Sequence, residues 1–212
     1  MAYQTIWEFT NLPIDIVKIL EKDLENNFDN EIKDSTLYNN ITNKLKRNSS
    51  NAWIPTNHWV GGFLWHYIQK ANRQNFLYDL SHIDGESIQY TRYEEGQYYG
   101  WHNDGDLANA FSPKISNISA FQSTKDENYP IEKSTQQYEL VRKLSFTLQL
   151  SHPDDYEGGN IQFMDESGKL YIAPRMRGAF ITFDSRTQHR VLKVTKGVRK
   201  SIVGWVVGPR WK

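Results

Sequence analysis

The stretch LSFTLQLS, at residues 144–151, alternates apolar and polar side chains at every position. A period of two is typical of a β-strand with one buried face. From about residue 87 onward, other short segments share this period, and Gly, Pro, Asp and Asn separate them. These segments are SIQYTRYEE (87–95), QYYGW (97–101), NIQF (160–163), KLYIAP (169–174), GAFITFDS (178–185), HRVLKV (189–194) and RKSIVGWVV (199–207). Such a series predicts an antiparallel sandwich or barrel.

The N-terminal part of the chain has a helical period instead. Residues 12–28 are predicted to form a helix, because apolar residues recur at helical spacing and Pro13 suits a first turn. A second helix is predicted within residues 31–47 and a third within residues 57–80. Since helices precede strands, the fold class is α+β, with an N-terminal helical layer packed on a β-sandwich.

The length of 212 residues fits one domain, which we take to span 1–212. Residues 1–86 form the mainly helical support layer and residues 87–212 the sandwich core. The polar, irregular segment 105–139 interrupts the strands and is interpreted as a lid or insertion.

Composition narrows the classes of partner and site. Lysine plus arginine equals aspartate plus glutamate, so neither a nucleic-acid partner nor a membrane surface is expected. The absence of cysteine leaves His, Asp and Glu as metal ligands and is consistent with a reducing cytosol. We therefore expect a cytoplasmic protein, in a bacterium or a phage-infected cell.

Three His-x-Asp pairs are candidate metal sites: His82/Asp84, His102/Asp104 and His152/Asp154. The first and third pairs adjoin predicted turns, where polar residues are ordinary. The second pair ends the strand QYYGW, and residues two apart in extended backbone point to the same side. His102 and Asp104 are therefore the preferred pair.

A third ligand must come from a distant strand, and His189 begins one. A lone histidine there is more often structural, but Arg199 follows ten positions later, after a hairpin turn predicted at Lys196-Gly197. A hairpin would place both side chains in one cavity, with Ser201 on the same face. Because a buried arginine needs an anion, this arrangement favours a site for a carboxylate ligand.

Four stretches together carry a resemblance to a known family: YEEGQYYGWHND (93–104), RKLSFTLQLSHPDDYEGGNIQF (142–163), GAFITFDSRTQHRV (178–191) and TKGVRKSIVGWVV (195–207). From about residue 87 to the C-terminus, the chain resembles the iron(II)- and 2-oxoglutarate-dependent dioxygenases, in particular their prolyl 4-hydroxylase-like branch of bacterial and phage type. The resemblance implies a double-stranded β-helix, or jelly roll.

The resemblance also implies roles for individual residues. It implies His102, Asp104 and His189 as ligands of Fe(II). It implies Arg199, Tyr93, Ser201 and Gln149 as contacts of 2-oxoglutarate, and Tyr99 and Trp205 as residues lining the pocket. Gln149 departs from the family pattern, since some relatives carry a tyrosine there, which leaves the hydrogen bonds at that position open.

The implied reaction is hydroxylation of an unactivated C–H bond, with dioxygen consumed and succinate and carbon dioxide released. Ascorbate binding is a further property of some relatives. The leading substrate is a peptidyl residue such as proline, while small molecules, including free amino acids, stay open, as does the oligomeric state. The alternative is a non-catalytic jelly-roll binding or structural protein that has lost its metal.

Overall fold

The computed structural model describes residues 7–35, 46–55, 57–84, 88–105 and 140–209. Most of the predicted second helix lies outside these ranges, as does the predicted lid at 105–139 apart from Gly105. The parts of 31–47 that are described hold the end of a 3-10 turn, Asp29–Glu31, and short strands rather than an α-helix.

The described residues form two α-helices and fifteen strands. The helices are α1 (Ile14–Phe28) and α2 (Trp59–Ala71), the latter continued by a π-helical turn, Asn72–Phe76. The strands are β1 (Trp7–Asn11), β2 (Lys33–Asp34), β3 (Arg47–Asn48), β4 (Ser50–Ile54), β5 (His82–Ile83), β6 (Ile88–Tyr93), β7 (Tyr98–His102), β8 (Leu140–Gln149), β9 (Tyr156–Gly158), β10 (Ile161–Met164), β11 (Leu170–Ile172), β12 (Ala179–Asp184), β13 (Gln188–Val191), β14 (Val194–Gly197) and β15 (Arg199–Pro209).

Two antiparallel sheets make the sandwich. The major sheet has the order β1-β12-β8-β15-β6-β4-β2, with β5 also paired to β15. The minor sheet has the order β11-β10-β13-β7-β3, and β14 pairs with β9 in a separate ribbon. All eight strands predicted from the period of two are present, and the α+β class with a jelly-roll core is confirmed.

Both α-helices pack on the outer face of the major sheet, as predicted for residues 12–28 and 57–80. The helical side chains with no exposed surface are Val17, Leu20 and Leu24 in α1 and Val60, Leu64 and Ile68 in α2. Full burial of such a side chain contributes about 1.5–3 kcal/mol. On the sheet, Leu144 and Leu148 of β8 and Ile202 and Val206 of β15 meet this layer.

The alternation that buries even-numbered residues against the helices turns odd-numbered residues toward the minor sheet. On β8 these are Ser145, Thr147 and Gln149, and on β15 they begin with Arg199 and Ser201. All five are at most 4% exposed. The polar positions of these strands therefore face the interior of the sandwich, not solvent.

The N-terminal segment also supplies strands that the sequence analysis did not predict. β1 pairs with β12 over five residues, from Trp7 opposite Phe183 to Asn11 opposite Ala179. β4 pairs with β6 in the same sheet. Both strands are only five residues long, so their period is too short to distinguish from a loop, and their partners lie far along the chain.

The hairpin predicted between His189 and Arg199 is wrong. β13 carries His189 in the minor sheet, whereas β15 carries Arg199 in the major sheet, and β14 lies between them in the chain and pairs with β9. The chain crosses from one sheet to the other, and both side chains line the cavity between the sheets. Among the described helices, none is long and apolar enough to span a membrane.

Candidate metal centre and carboxylate pocket

The pairing of β7 with β13 brings the two candidate histidines together. His102 and His189 are directly opposite each other in the register, and their ring centroids are 4.1 Å apart. The register shifts between His189 and Val191, so the ladder is irregular beside the site. Such irregularities re-aim side chains in many sheets.

Asp104 completes the cluster just beyond the end of β7. Its backbone N–H and that of Gly105 both donate to the carbonyl of Ser185, at 2.8 Å each. Its Oδ2 accepts a hydrogen bond of 2.7 Å from Ser145, whose hydroxyl lies 3.0 Å from that of Ser185. The carboxylate is therefore anchored through both its backbone and its side chain.

The two imidazoles are oriented by backbone carbonyls. Nδ1 of His102 lies 2.8 Å from the carbonyl of Gly100, and Nδ1 of His189 lies 2.9 Å from that of Thr187. A carbonyl can only accept, so each Nδ1 carries the proton and each Nε2 presents a lone pair. Both Nε2 atoms lie near Asp104, at 3.7 Å and 3.4 Å from its carboxylate oxygens.

Electrostatics in the cluster favour the protonation states that a metal requires. Burial, and after it the neighbouring His189, lowers the pKa of His102 from its ordinary 6.5 to about 3. Burial opposes ionisation of Asp104, but the two histidines, then Arg142 and the Ser145 hydroxyl, outweigh it and hold its pKa below the usual value. Neutral imidazoles and an ionised carboxylate are the forms that bind metal ions.

These residues fit a divalent metal. The candidate ligand atoms of His102, Asp104 and His189 all lie within 4.8 Å of one another. Two imidazoles and one carboxylate on one face, with the remaining positions open, form the ligand set typical of non-heme Fe(II) oxygenases. The outer hydrogen bonds to Gly100, Thr187 and Ser145 supply the second layer that such sites need.

The cluster lies in a cavity between the two sheets. The residues lining this cavity are Arg47, Gln89, Thr91, Tyr93, Tyr99, His102, Asp104, Phe146, Thr147, Ile161, Phe183, His189, Val191, Arg199, Val203 and Trp205.

Arg199 lines the same cavity from the opposite sheet. It is 1% exposed, and no acidic side chain in the described part of the chain lies within ion-pairing distance of it. Its Nε donates to Gln149 at 3.1 Å, while its Nη2 is buried without a hydrogen-bond partner. Burial lowers the pKa of Arg199, opposed by the nearby hydroxyls of Tyr156 and Tyr93. A buried cation in this situation calls for an anionic ligand.

Other polar atoms in or beside the cavity are also without a partner among the described residues. The hydroxyls of Thr91, Thr147 and Ser201 and the indole N–H of Trp205 are buried and make no hydrogen bond to any described residue. Their strands are adjacent, since Ser201 pairs with Thr91 on one side and with Gln149 on the other.

Two further orphaned hydroxyls, those of Tyr90 and Thr182, belong to the opposite, helix-facing side of the sheet. A missing hydrogen bond alone therefore does not mark the site. The combination of a buried charge with several unpartnered donors around one cavity does, and it fits a ligand with a carboxylate at this end.

Gly159 lets the chain pass close to this arginine. It has a φ of +62°, and a Cβ there would lie 3.2 Å from Cδ of Arg199 and 3.2 Å from the Tyr156 ring. Any side chain would be strained in this conformation and would crowd the guanidinium stem. The Gly-Gly turn of the sequence therefore helps to hold Arg199 in place.

The structure brings the predicted site residues together to different degrees. His102, Asp104, His189, Arg199, Tyr93, Tyr99 and Trp205 all line the cavity. Ser201 and Gln149 do not, but both border Arg199, Gln149 through its hydrogen bond. The Tyr99 ring stacks on His102 with centroids 3.6 Å apart, and burial raises the pKa of its phenol to about 12.

The other two His-x-Asp pairs have structural roles. Asp84 is buried and accepts a hydrogen bond of 2.8 Å from Arg142. His152 is exposed and caps the turn Pro153–Asp155, accepting from the backbone N–H of Asp154. The choice of the central pair on grounds of sequence context agrees with this arrangement.

Sequence reasoning missed several residues of the cavity and its support: Arg47, Gln89, Thr91, Thr147, Ser145 and Ser185. The period of two could have indicated four of them, because Gln89 and Thr91 share a strand face with Tyr93, and Ser145 and Thr147 share one with Gln149. Arg47 and Ser185 carry no such signal, since long-range strand pairing alone brings them to the site.

A family model described as the 2OG-Fe(II) oxygenase superfamily matches residues 88–207. Two PKHD-type hydroxylases from Synechococcus strains are 31% identical over 143 residues, which is 66% of this chain and 51% of theirs. The chain thus spans about half the length of these curated relatives.

Solved structures share the fold at low identity. A prolyl 4-hydroxylase of Pseudomonas putida superposes with a TM-score of 0.65 at 19% identity, covering 94% of this chain and 91% of that one. A prolyl hydroxylase of Trichoplax adhaerens, in complex with a hypoxia inducible factor peptide fragment, gives 0.70 at 15% identity, covering 95% and 83%. These two similarities show that the chain shares its fold with both enzymes.

Proposed function

The chain belongs to the 2OG-Fe(II) oxygenase superfamily, and from that premise we propose that it is a 2-oxoglutarate-dependent hydroxylase of an unactivated C–H bond. One observation carries the proposal: a cluster of two histidines and one carboxylate shares a cavity with a buried arginine that has no acidic partner among the described residues. A ligand that chelates the metal at one end and carries a free carboxylate at its other end would match both the cluster and the arginine.

In this proposal His102, Asp104 and His189 hold Fe(II), and Arg199 binds the distal carboxylate of 2-oxoglutarate. The guanidinium fork of an arginine pairs with a carboxylate through two parallel hydrogen bonds. Tyr93 lies beside the fork, with its ring centroid 5.4 Å from the guanidinium carbon. Ser201 and Gln149 complete the surroundings of that carboxylate.

When bound, Fe(II) and 2-oxoglutarate would allow dioxygen to act as the oxidant: 2-oxoglutarate would supply two electrons in its conversion to succinate and carbon dioxide, so that one oxygen atom would end in succinate and the other in the hydroxylated substrate. The chain supplies position and a dry environment. Phe183, Val191 and Val203 line the cavity with apolar surface. Tyr99, stacked on His102, holds that imidazole in its orientation.

The substrate we propose is a peptidyl residue such as proline. The names of the relatives and of the structural neighbours support this choice. Ascorbate, as an accessory reductant, stays a prediction. We place the protein in the cytoplasm, where reducing conditions maintain Fe(II) and 2-oxoglutarate is a common metabolite.

The test is iron-dependent turnover with an array of end-blocked peptides, some containing proline, and with free amino acids. Succinate is measured together with the gain of one oxygen atom in the product by mass spectrometry, for wild type and His189→Ala. Hydroxylation of a proline peptide by the wild type alone is expected. Hydroxylation of a free amino acid instead would overturn only the peptidyl part, whereas no iron-dependent turnover with any compound would overturn the whole proposal.

A further inference from the structure

One short turn supports two of the three candidate metal ligands. This support turn comprises residues 184–187, between β12 and β13. The carbonyl of Ser185 accepts a hydrogen bond from the backbone N–H of Asp104, and the carbonyl of Thr187 lies 2.9 Å from Nδ1 of His189. Because Asp104 follows β7 and His189 lies in β13, the shape of this turn determines how the two ligands lie relative to each other.

Asp184 holds the support turn together from within. Its carbonyl accepts the backbone N–H of Thr187 at 2.9 Å, which closes the turn. Its Oδ1 accepts from the backbone N–H and from Nε of Arg186, both at 2.8 Å, and Nη2 of Arg186 donates to Oδ2. An aspartate that bonds the backbone two residues on is typical of a fixed turn. Asp184 is 4% exposed, so water competes little for its carboxylate.

A tyrosine from the N-terminal part of the chain also binds Asp184. The hydroxyl of Tyr78 donates to Oδ2 of Asp184 at 2.5 Å, and it accepts from Nη2 of Arg186 at 3.4 Å. The three side chains therefore form a closed set of hydrogen bonds. Tyr78 follows the π-helical turn that continues α2, so this contact joins the helical layer to the support turn.

The backbone of Tyr78 is itself held in place by Asn72. The Asn72 side chain donates to the carbonyl of Tyr78 at 2.8 Å and accepts from its N–H at 2.9 Å. Leu77 precedes Tyr78 and has left-handed backbone, with φ +56° and ψ +33°, while its side chain is 79% exposed. This conformation is unfavourable for a residue with a Cβ, and such strain persists where surrounding contacts enforce it, often near functional sites.

The carbonyls that support the ligands depend on the shape of the turn. They belong to the backbone of Ser185 and Thr187, so their positions follow from the torsion angles of residues 184–187. The Ser185 N–H also donates to the carbonyl of Lys143 in β8, which ties one end of the turn to the major sheet. Loss of the Tyr78 contact should therefore shift the turn without unfolding it.

We propose that Tyr78 is a positioning residue for the metal centre. By holding Asp184, it keeps the support turn in the shape that orients Asp104 and His189 toward a shared metal ion. This inference rests on the proposed function, since it takes these two residues as metal ligands. Tyr78 does not line the cavity and acts only through the turn. The helical layer thereby contributes to metal affinity as well as to the hydrophobic core.

Two variants and one control test this role. Tyr78→Phe removes a single hydroxyl and keeps the ring. Asp184→Asn keeps the size of the side chain but replaces one accepting oxygen with a donor, which disturbs the turn more directly. Tyr67→Phe is the matched control, because Tyr67 is another partly buried tyrosine of the helical layer and packs against Phe180, at the opposite end of β12 from the support turn.

The measurements separate positioning of the ligands from general stability. Mn(II) affinity is obtained from the free Mn(II) signal in electron paramagnetic resonance, under conditions in which urea unfolding shows each variant to be folded. The affinity for 2-oxoglutarate is measured by calorimetry at saturating Mn(II). A purely structural role of Tyr78 would change the free energy of unfolding but not the affinity of the folded protein for Mn(II).

We expect Tyr78→Phe to weaken Mn(II) binding about three- to tenfold, since direct outer contacts of a metal ligand are worth roughly 10- to 100-fold and Tyr78 lies beyond them. Asp184→Asn should have a larger effect, and Tyr67→Phe should bind as the wild type does. The affinity for 2-oxoglutarate at saturating Mn(II) should stay close to that of the wild type in all three.

Three results would overturn the inference. Tyr78→Phe could bind Mn(II) as tightly as the wild type, it could lose affinity for Mn(II) and for 2-oxoglutarate equally, or Tyr67→Phe could show the same loss of Mn(II) affinity. Failure of the wild type itself to bind Mn(II) would instead overturn the proposed function, and this inference with it.

Discussion

The two ends of the cavity differ in how completely the protein satisfies its own polar groups. At the metal end, Nδ1 of each histidine bonds a backbone carbonyl, and Asp104 is held by Ser145 and by the carbonyl of Ser185. At the arginine end, Nη2 of Arg199 and the hydroxyls of Ser201 and Thr91 have no partner among the described residues. The metal end is therefore preorganised in the free protein, whereas the arginine end has buried donors that only a ligand can satisfy.

This difference indicates that the two ends of the cavity have different roles. Outer hydrogen bonds fix the metal ligands whether or not a metal is bound, which favours affinity and geometry. Unpartnered buried donors lower the stability of the free protein and are satisfied only on binding. The ends should therefore respond differently to substitution and to ligand.

The largest effect is expected from loss of a candidate metal ligand. His189→Ala or Asp104→Ala should weaken Mn(II) binding at least about a hundredfold, since changes in the outer layer of a metal site alone cost roughly 10- to 100-fold. The free Mn(II) signal in electron paramagnetic resonance measures this affinity. His152→Ala, at an exposed turn, is the control and should bind as the wild type does. Near-normal affinity in His189→Ala would remove that histidine from the ligand set.

A substitution at the arginine end should weaken the binding of 2-oxoglutarate without weakening the binding of the metal. Arg199→Met removes the buried charge but retains an apolar stem, so we expect metal affinity to stay unchanged. Affinity for 2-oxoglutarate should fall by about 2–5 kcal/mol, roughly 30-fold or more, the cost of removing one partner of a buried charge pair. Calorimetry on the Mn(II)-loaded protein measures it, with Arg190→Met as control. An equal loss of metal and cosubstrate binding would contradict the independence of the two ends.

A smaller effect is expected when the metal end loses one support. Ser145→Ala removes the hydrogen bond to Oδ2 of Asp104, so the carboxylate is held less firmly. Mn(II) affinity should fall about 10- to 100-fold, while 2-oxoglutarate affinity at saturating Mn(II) stays close to that of the wild type. Ser167→Ala, on an exposed turn, controls for the loss of a hydroxyl. Unchanged Mn(II) affinity would show that the Ser185 carbonyl alone positions Asp104.

The smallest effect should come from an orphaned hydroxyl. Thr147→Val keeps the shape but removes an unsatisfied polar group, so the free protein should become more stable by about 1 kcal/mol. The extra stability conferred by Mn(II) with 2-oxoglutarate should decrease. Thr182→Val removes an equally buried and unpartnered hydroxyl on the helix-facing side of the sheet, and should raise stability without changing that response. Equal responses in urea unfolding would mean that Thr147 does not face the ligand.

Much of this arrangement could be predicted from the sequence. The period of two located eight of the ten strands described after residue 87, and the helical period located α1 and α2, because each face of these elements is consistently buried or exposed. His102 and Asp104 could be paired for the same reason, as neighbours on one face of an extended segment. The spacing of residues within a single segment is sufficient to predict these elements and this pair.

Long-range pairing could not be predicted in the same way. The hairpin between His189 and Arg199 was wrong, because a turn signal does not indicate which sheet the next strand joins. Arg47 reaches the cavity only because β3 pairs with β7, and Ser185 supports Asp104 from a separate strand end. These contacts depend on the topology of the sandwich, which local residue patterns do not encode.

Equilibrium unfolding of the wild type without oxygen tests the central claim most directly, with Mn(II), 2-oxoglutarate, both or neither. A ligand at about a hundred times its dissociation constant stabilises the folded state by roughly 2.7 kcal/mol. We predict that Mn(II) alone stabilises the protein, and that 2-oxoglutarate adds a comparable increment only when Mn(II) is present. No response to either would contradict the account and favour a jelly-roll protein without metal chemistry.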